Sequence, residues 1–92
     1  GLVRPLAIDV HGRAYVHVET LGAGPELEVF SEVRRIDGSG AQHRVAWIPS
    51  GFAPTVRDVV VGDDGTVYRM EGTPEGLAIW RYGDSRWTEV VQ

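Results

Sequence analysis

The chain contains two stretches that repeat one another. Leu6-Ala7-Ile8-Asp9-Val10-His11-Gly12-Arg13-Ala14-Tyr15-Val16 and Asp58-Val59-Val60-Val61-Gly62-Asp63-Asp64-Gly65-Thr66-Val67-Tyr68 share one plan: an apolar run, a tight turn ending in Gly, then Tyr three residues later. Gly12 and Gly65 are 53 positions apart, and so are Tyr15 and Tyr68. Self-similarity at such a period marks stacked β units, and one such unit cannot bury its faces alone. The 92 residues allow one small domain or a piece of a larger one. Within that length the repeat predicts two units, over residues 1–50 and 51–92.

Each unit reads as four strands. In the first, Leu6–Val10 is apolar in character apart from Asp9 and Gly12 marks a turn. Arg13–Thr20 then alternates Ala14, Val16 and Val18 against Arg13, Tyr15, His17 and Glu19. The turn-forming run Leu21-Gly22-Ala23-Gly24-Pro25 leads to Glu26–Ile36, Asp37-Gly38-Ser39-Gly40 makes the next turn, and Gln42–Ile48 is the last strand. The second unit repeats the layout with Val56–Val61, the hairpin signal Gly62-Asp63-Asp64-Gly65, and Thr66–Glu71. The loop Gly72-Thr73-Pro74-Glu75-Gly76 follows, then Leu77–Tyr82, the turn Gly83-Asp84-Ser85, and Arg86–Val91. Pro49–Pro54 joins the units. No 3.6-residue apolar period is sustained, and in Glu26–Arg35, the nearest to one, Val29, Phe30 and Val33 make a poor stripe.

Four antiparallel strands per ~40–50 residues is the pattern of a β-propeller blade. The expected fold is therefore all-β: two tandem four-stranded antiparallel propeller-type blades, with a small β-sandwich or barrel as the alternative. Val59-Val60-Val61, apolar on both faces, suits a first strand packed near the axis. At its turn-plus-Tyr motifs the chain resembles the NHL and SMP-30-like group of propellers, whose blades carry an aspartate-glycine hairpin followed by a Tyr. Val61-Gly62-Asp63-Asp64-Gly65-Thr66-Val67-Tyr68 matches this pattern, and in the first unit His11 stands where the Asp is usual. Arg35-Ile36-Asp37-Gly38-Ser39-Gly40 resembles the corresponding turn of TolB-type repeats. The resemblance implies a propeller; it does not imply an activity, because such superfolds host many.

Propellers close with about four to eight blades, and two are present. An open pair exposes sheet edges and apolar faces, with Val16, Val18, Val59 and Val61 expected on them. The expected partners are further blades of a parent chain or self-association, in which three copies would supply six blades and four would supply eight. The start at Gly1-Leu2-Val3-Arg4-Pro5, without Met, reads as a processed or excised segment.

Composition narrows the function classes. Net charge is −4 and is spread along the chain, which argues against nucleic acid and anionic membranes as partners. No apolar run approaches the ~18 residues of a membrane span. There is no Cys, which excludes disulfides, thiol catalysis and Cys-ligated metals and leaves the compartment open. All nine basic residues are Arg, and Lys and Asn are absent, a usage that points to a GC-rich, bacterial genome.

The chemistry-bearing residues are sparse. His11, His17 and His43 show no HxH or HxxxH spacing; Asp9 with His11 and His17 with Glu19 are the nearest to ligand pairs, and neither predicts a metal site. Asp63-Asp64 reads as turn chemistry, since calcium needs more oxygens than the pair offers. None of Ser31, Ser39, Ser50 and Ser85 lies in a nucleophile elbow. In the metal-dependent members of the resembled group, Glu, Asp and Asn hold the ion, and without Asn that ligand set does not carry over. Trp80 and Trp87 are expected as a cross-strand aromatic pair. No catalytic residue, metal or cofactor is expected.

The expected function is a non-catalytic propeller segment serving as a scaffold or as a ligand- or protein-binding module. It would act through loops at one blade end, with Leu21, Gly22, Pro25, Phe52, Thr73 and Glu75 as its surface. The alternatives are part of a hydrolase, lactonase or lyase completed by missing blades, with Asp9 and Asp58 contributing, and a stand-alone β-barrel binding module.

Overall fold

A computed structural model describes residues 2–22, 29–48 and 59–90. The order is β1 (Leu2–Ile8), β2 (Ala14–Leu21), β3 (Val29–Ile36), β4 (Gln42–Ile48), β5 (Val59–Val61), β6 (Val67–Thr73), β7 (Gly76–Gly83) and β8 (Arg86–Glu89). Two four-stranded antiparallel sheets result, β1-β2-β3-β4 and β5-β6-β7-β8, each ordered as in the chain. This is the arrangement of two propeller-type blades in tandem. The segment nearest to helical character is strand from Val29 to Ile36.

Three of the hairpins share one geometry, and glycine is its cause. In the first, the Asp9 amide donates to the Arg13 carbonyl and the Gly12 amide to the Asp9 carbonyl, both at 3.0 Å. Gly62 with Thr66 (2.8 Å) and Gly65 with Gly62 (2.9 Å) repeat this 53 positions on, and Asp37 with Ala41 (3.1 Å) and Gly40 with Asp37 (3.0 Å) repeat it between β3 and β4. Gly12, Gly65 and Gly40 have φ of 78°, 88° and 86°, the left-handed region that an L side chain enters only at a cost. The β7–β8 turn achieves a positive φ without glycine, at Asp84 (52°) and Ser85 (62°), as a two-residue hairpin between Gly83 and Arg86 requires.

Several strand bounds differ from those expected, β1 ending at Ile8 and β8 at Glu89 among them, and the largest changes are at β1 and at the β6–β7 connection. β1 starts at Leu2 and runs through Pro5, with a register shift between Pro5 and Ala7; Pro has no amide to donate, and an edge strand with a bulge tolerates it. The run 72–76, read as a loop, is a tight hairpin in which Thr73 pairs with Gly76 around Pro74-Glu75.

The core lies between the sheets. Tyr15, Val33, Ala46 and Ile48 from the first meet Val59 and Val67 from the second, with Leu6, Val45, Val61, Tyr82 and Trp87 packed around them. The β2 face that enters this core is the one that reads as polar: Tyr15 and His17 are each 2% exposed. Ala14 and Val16 lie half-buried on the opposite face, where Val18 is buried in register between Val3 and Glu32. Val59, expected on an outer face, is a core residue, and Val61 packs against the core.

The stacking has a direction. Tyr15 faces the second sheet, whereas its repeat partner Tyr68 alternates with the inward Val67 and faces away from the first. Val67 faces the first sheet, and its counterpart Ala14 faces outward. The two sheets therefore stack front to back in the same orientation.

Candidate functional site

The turn end of the inter-sheet seam is built on one carboxylate. Asp9, whose side chain is wholly buried, accepts four hydrogen bonds. Its Oδ1 takes the His11 amide (2.9 Å) and the Arg13 amide (3.0 Å). Its Oδ2 takes Arg13 Nε and the Tyr15 hydroxyl, both at 2.7 Å. Burial by itself pushes this carboxyl up, but the donors outweigh it and hold the group well below the usual carboxylate range. Burial and the Asp9 hydrogen bond push the Tyr15 phenol up. Both Asp9 oxygens are thus engaged by protein donors, which explains why Asp9 and His11 do not form a ligand pair.

The seam continues into the second unit. The Val10 amide donates to the Asp63 carbonyl at 3.0 Å, joining the two equivalent turns. The Tyr15 hydroxyl lies directly over Gly65, where no β-carbon fits.

Asp37 repeats the Asp9 arrangement 28 positions on. Its Oδ1 takes the Ser39 amide (3.0 Å) and the Ala41 amide (3.1 Å), and its Oδ2 lies 3.2 Å from His43 Nε2. The Ser39 side-chain hydrogen bond and His43 lead the causes that lower its carboxyl to about 2. Asp37, Ser39 and His43 superficially form a nucleophile constellation. Ser39 Oγ, however, donates to Asp37 Oδ1 at 2.6 Å, so the hydroxyl proton goes to the acid and not to an imidazole base, and the trio is a turn clasp. The sequence carries the pattern Asp-x-x-Gly-x-x-Tyr/His at 9–15 and 37–43, and residues 62–68 depart from it because position 62 is Gly. There Asp64 Oδ1 takes the Thr66 amide at 2.9 Å instead.

Arg69 had no sequence signal beyond its place between Val67 and Glu71. It is fully buried, with its guanidinium carbon 5.2 Å from the Trp80 ring centre and 5.1 Å from that of Trp87. The expected Trp80–Trp87 pairing is therefore corrected: the two indoles flank a cation, and the cross-strand ring pair is Tyr82 with Trp87, at 5.1 Å and 66°. Register explains this, since Trp80 pairs with Glu89 across the ladder. Trp87 Nε1 also donates to the Trp47 carbonyl at 2.8 Å, a second polar tie between the sheets.

His17 enters the seam further along β2. Arg4 Nη2 is 3.4 Å from its Nδ1 and Glu19 Oε1 is 3.9 Å from its Nε2. Burial lowers its pKa against the pull of Glu19. His17 and Glu19 share a face as the sequence predicts. Among the described residues no group of three or more His, Asp or Glu side chains is placed to hold a metal.

Of the loop surface, Leu21 ends β2, Gly22 follows it half-buried, and Thr73 and Glu75 lie at the β6–β7 hairpin, with Glu75 exposed. Both segments connect a second to a third strand, so each sheet contributes one to the same relative end. Pro25 and Phe52 lie outside the described residues, as does Asp58. No described helix is long and apolar enough to cross a membrane. Compared with known proteins, the chain matches no family model, no curated protein and no solved structure.

Proposed function

We propose that the chain is a non-catalytic segment of an NHL-like propeller, serving as a scaffold and binding module. One observation supports this most: the sheets stack front to back, and each outer face keeps large apolar residues exposed, Ile8 at 72% on the first and Leu77 at 63% on the second. A free-standing sandwich turns its apolar faces toward each other, whereas a repeat unit keeps both for neighbours. In this reading the packed sheets are the rigid part, and the loops carrying Leu21, Gly22, Thr73 and Glu75 are the surface that recognises a ligand.

The test is the state of the outer faces. A solvatochromic naphthalene dye added at nanomolar protein concentration is expected to brighten while the chain retains a cooperative melt. The double variant Ile8→Asp, Leu77→Asp is expected to lose the enhancement and keep the melt. A cooperatively folded chain without dye enhancement overturns the reading.

A further inference from the structure

Resting on that reading, we infer that the partner for the outer faces is a second copy of this chain, bound front to back in the register of the two sheets within the chain. The argument is continuity with an existing interface. Because the sheets stack in the same orientation, the second sheet ends in a front face equivalent to the buried front of the first. The first sheet begins with a back face equivalent to the buried back of the second. Such a contact is heterologous, and its repetition gives a closed ring where the rotations sum to a full turn, as they do between propeller blades.

The equivalences name the contacts. Tyr15 lies over Gly65; 53 positions on, Tyr68 takes the place of Tyr15, and the Gly12 of the next copy takes the place of Gly65. Gly12 has the space, since a β-carbon there meets nothing within 4 Å. The Val10 amide donates to the Asp63 carbonyl; in the next interface the Asp63 amide would donate to the Val10 carbonyl. Each face carries exposed apolar side chains beside charged ones, Glu32, Arg34 and Arg44 on the first sheet and Arg81 and Arg86 on the second. The second sheet brings Val60, Leu77 and Val90, and the first brings Val3, Ile8 and Trp47, all exposed in the single chain.

Sedimentation velocity from nanomolar to high micromolar concentration tests this. The expected result is concentration-dependent growth to a discrete species of three or four times the 10.1 kDa chain. Leu77→Asp and Ile8→Asp each spoil one face and are expected to weaken association at least about tenfold while leaving the melt intact. Mixing the two variants is the decisive measurement. Each retains the face the other lacks, so a front-to-back contact restores one interface and yields a one-to-one pair that cannot grow. A face that pairs with itself instead leaves one variant dimeric alone and adds nothing on mixing, which overturns the register. A monomer at every concentration that still binds the dye overturns the second copy and spares the propeller reading. A monomer that binds no dye overturns both.

Discussion

The Tyr15 hydroxyl rests on Gly65, from the equivalent turn of the other sheet, with the Tyr15 ring carbon Cζ 3.3 Å from where a β-carbon would stand. Asp9 holds the hydroxyl from behind at 2.7 Å, so the tyrosine cannot swing aside without losing a charge-assisted hydrogen bond. One glycine therefore satisfies two demands, a positive φ and a close approach between sheets.

This separates two otherwise equivalent glycines. Gly12→Ala meets only the backbone cost of its φ, about 1–2 kcal/mol. Gly65→Ala meets the same cost and also displaces Tyr15, so it is expected to destabilise the chain by at least about 1 kcal/mol more. Denaturant melts of the two variants at low protein concentration check the order, and equal losses would show that the seam yields at Tyr15 without cost.

Tyr15→Phe removes one donor from Asp9 and leaves the others. The expected loss is about 1.5–3 kcal/mol, the range of a hydrogen bond to a charged acceptor. Its measurement is a urea melt at neutral pH, with the midpoint moving and the slope unchanged.

Acid is expected to weaken the fold through the two turn carboxylates. Asp9 and Asp37 are both held below the ordinary carboxyl value in the folded chain. Their stabilisation is complete above the unfolded pKa of about 3.9 and falls away as pH drops toward the folded values, about 2 for Asp37. Asp9→Asn is expected to be less stable at neutral pH and to lose less on going below pH 4. Urea midpoints across that window decide it.

His17 adds a loss in the same direction at milder pH, because the fold holds it neutral. Burial leads the causes that lower its pKa, so the unfolded chain binds the proton first. Stability is expected to decline as pH falls through about 6.5, the unfolded value, and to level off below the folded one. Thermal melts on either side of pH 6.5 show this, and the step is expected to vanish in His17→Gln.

Arg69 tests whether the buried cation or its bulk matters. Arg69→Ala removes a guanidinium held between two indoles and is expected to destabilise by about 2–4 kcal/mol, combining cavity and cation–π losses. Arg69→Met keeps the length and removes the charge, and is expected to stay within about 1 kcal/mol of the parent because the desolvation cost disappears too. Tryptophan emission reports both, since Trp80 and Trp87 flank the site.

Local order was legible in the amino acids alone: the strands, their turns and the repeat. Glycine at positions 12, 40 and 65 encodes hairpins because few other residues adopt their φ, and alternating apolar residues encode strands because side chains alternate across a sheet. Gln42–Ile48 was legible to the residue. Which faces meet was set by packing between the sheets. Alternation in β2 favours Ala14, Val16 and Val18 as the buried set, yet a blade is packed on both sides, so hydrophobicity does not distinguish front from back. The choice fell to Tyr15 and His17, because a phenol and an imidazole can be buried where Asp9 and Arg4 lie beside them. Arg69 between Trp80 and Trp87 was illegible for the same reason: a charged residue in a strand reads as solvent-facing until register places two indoles around it.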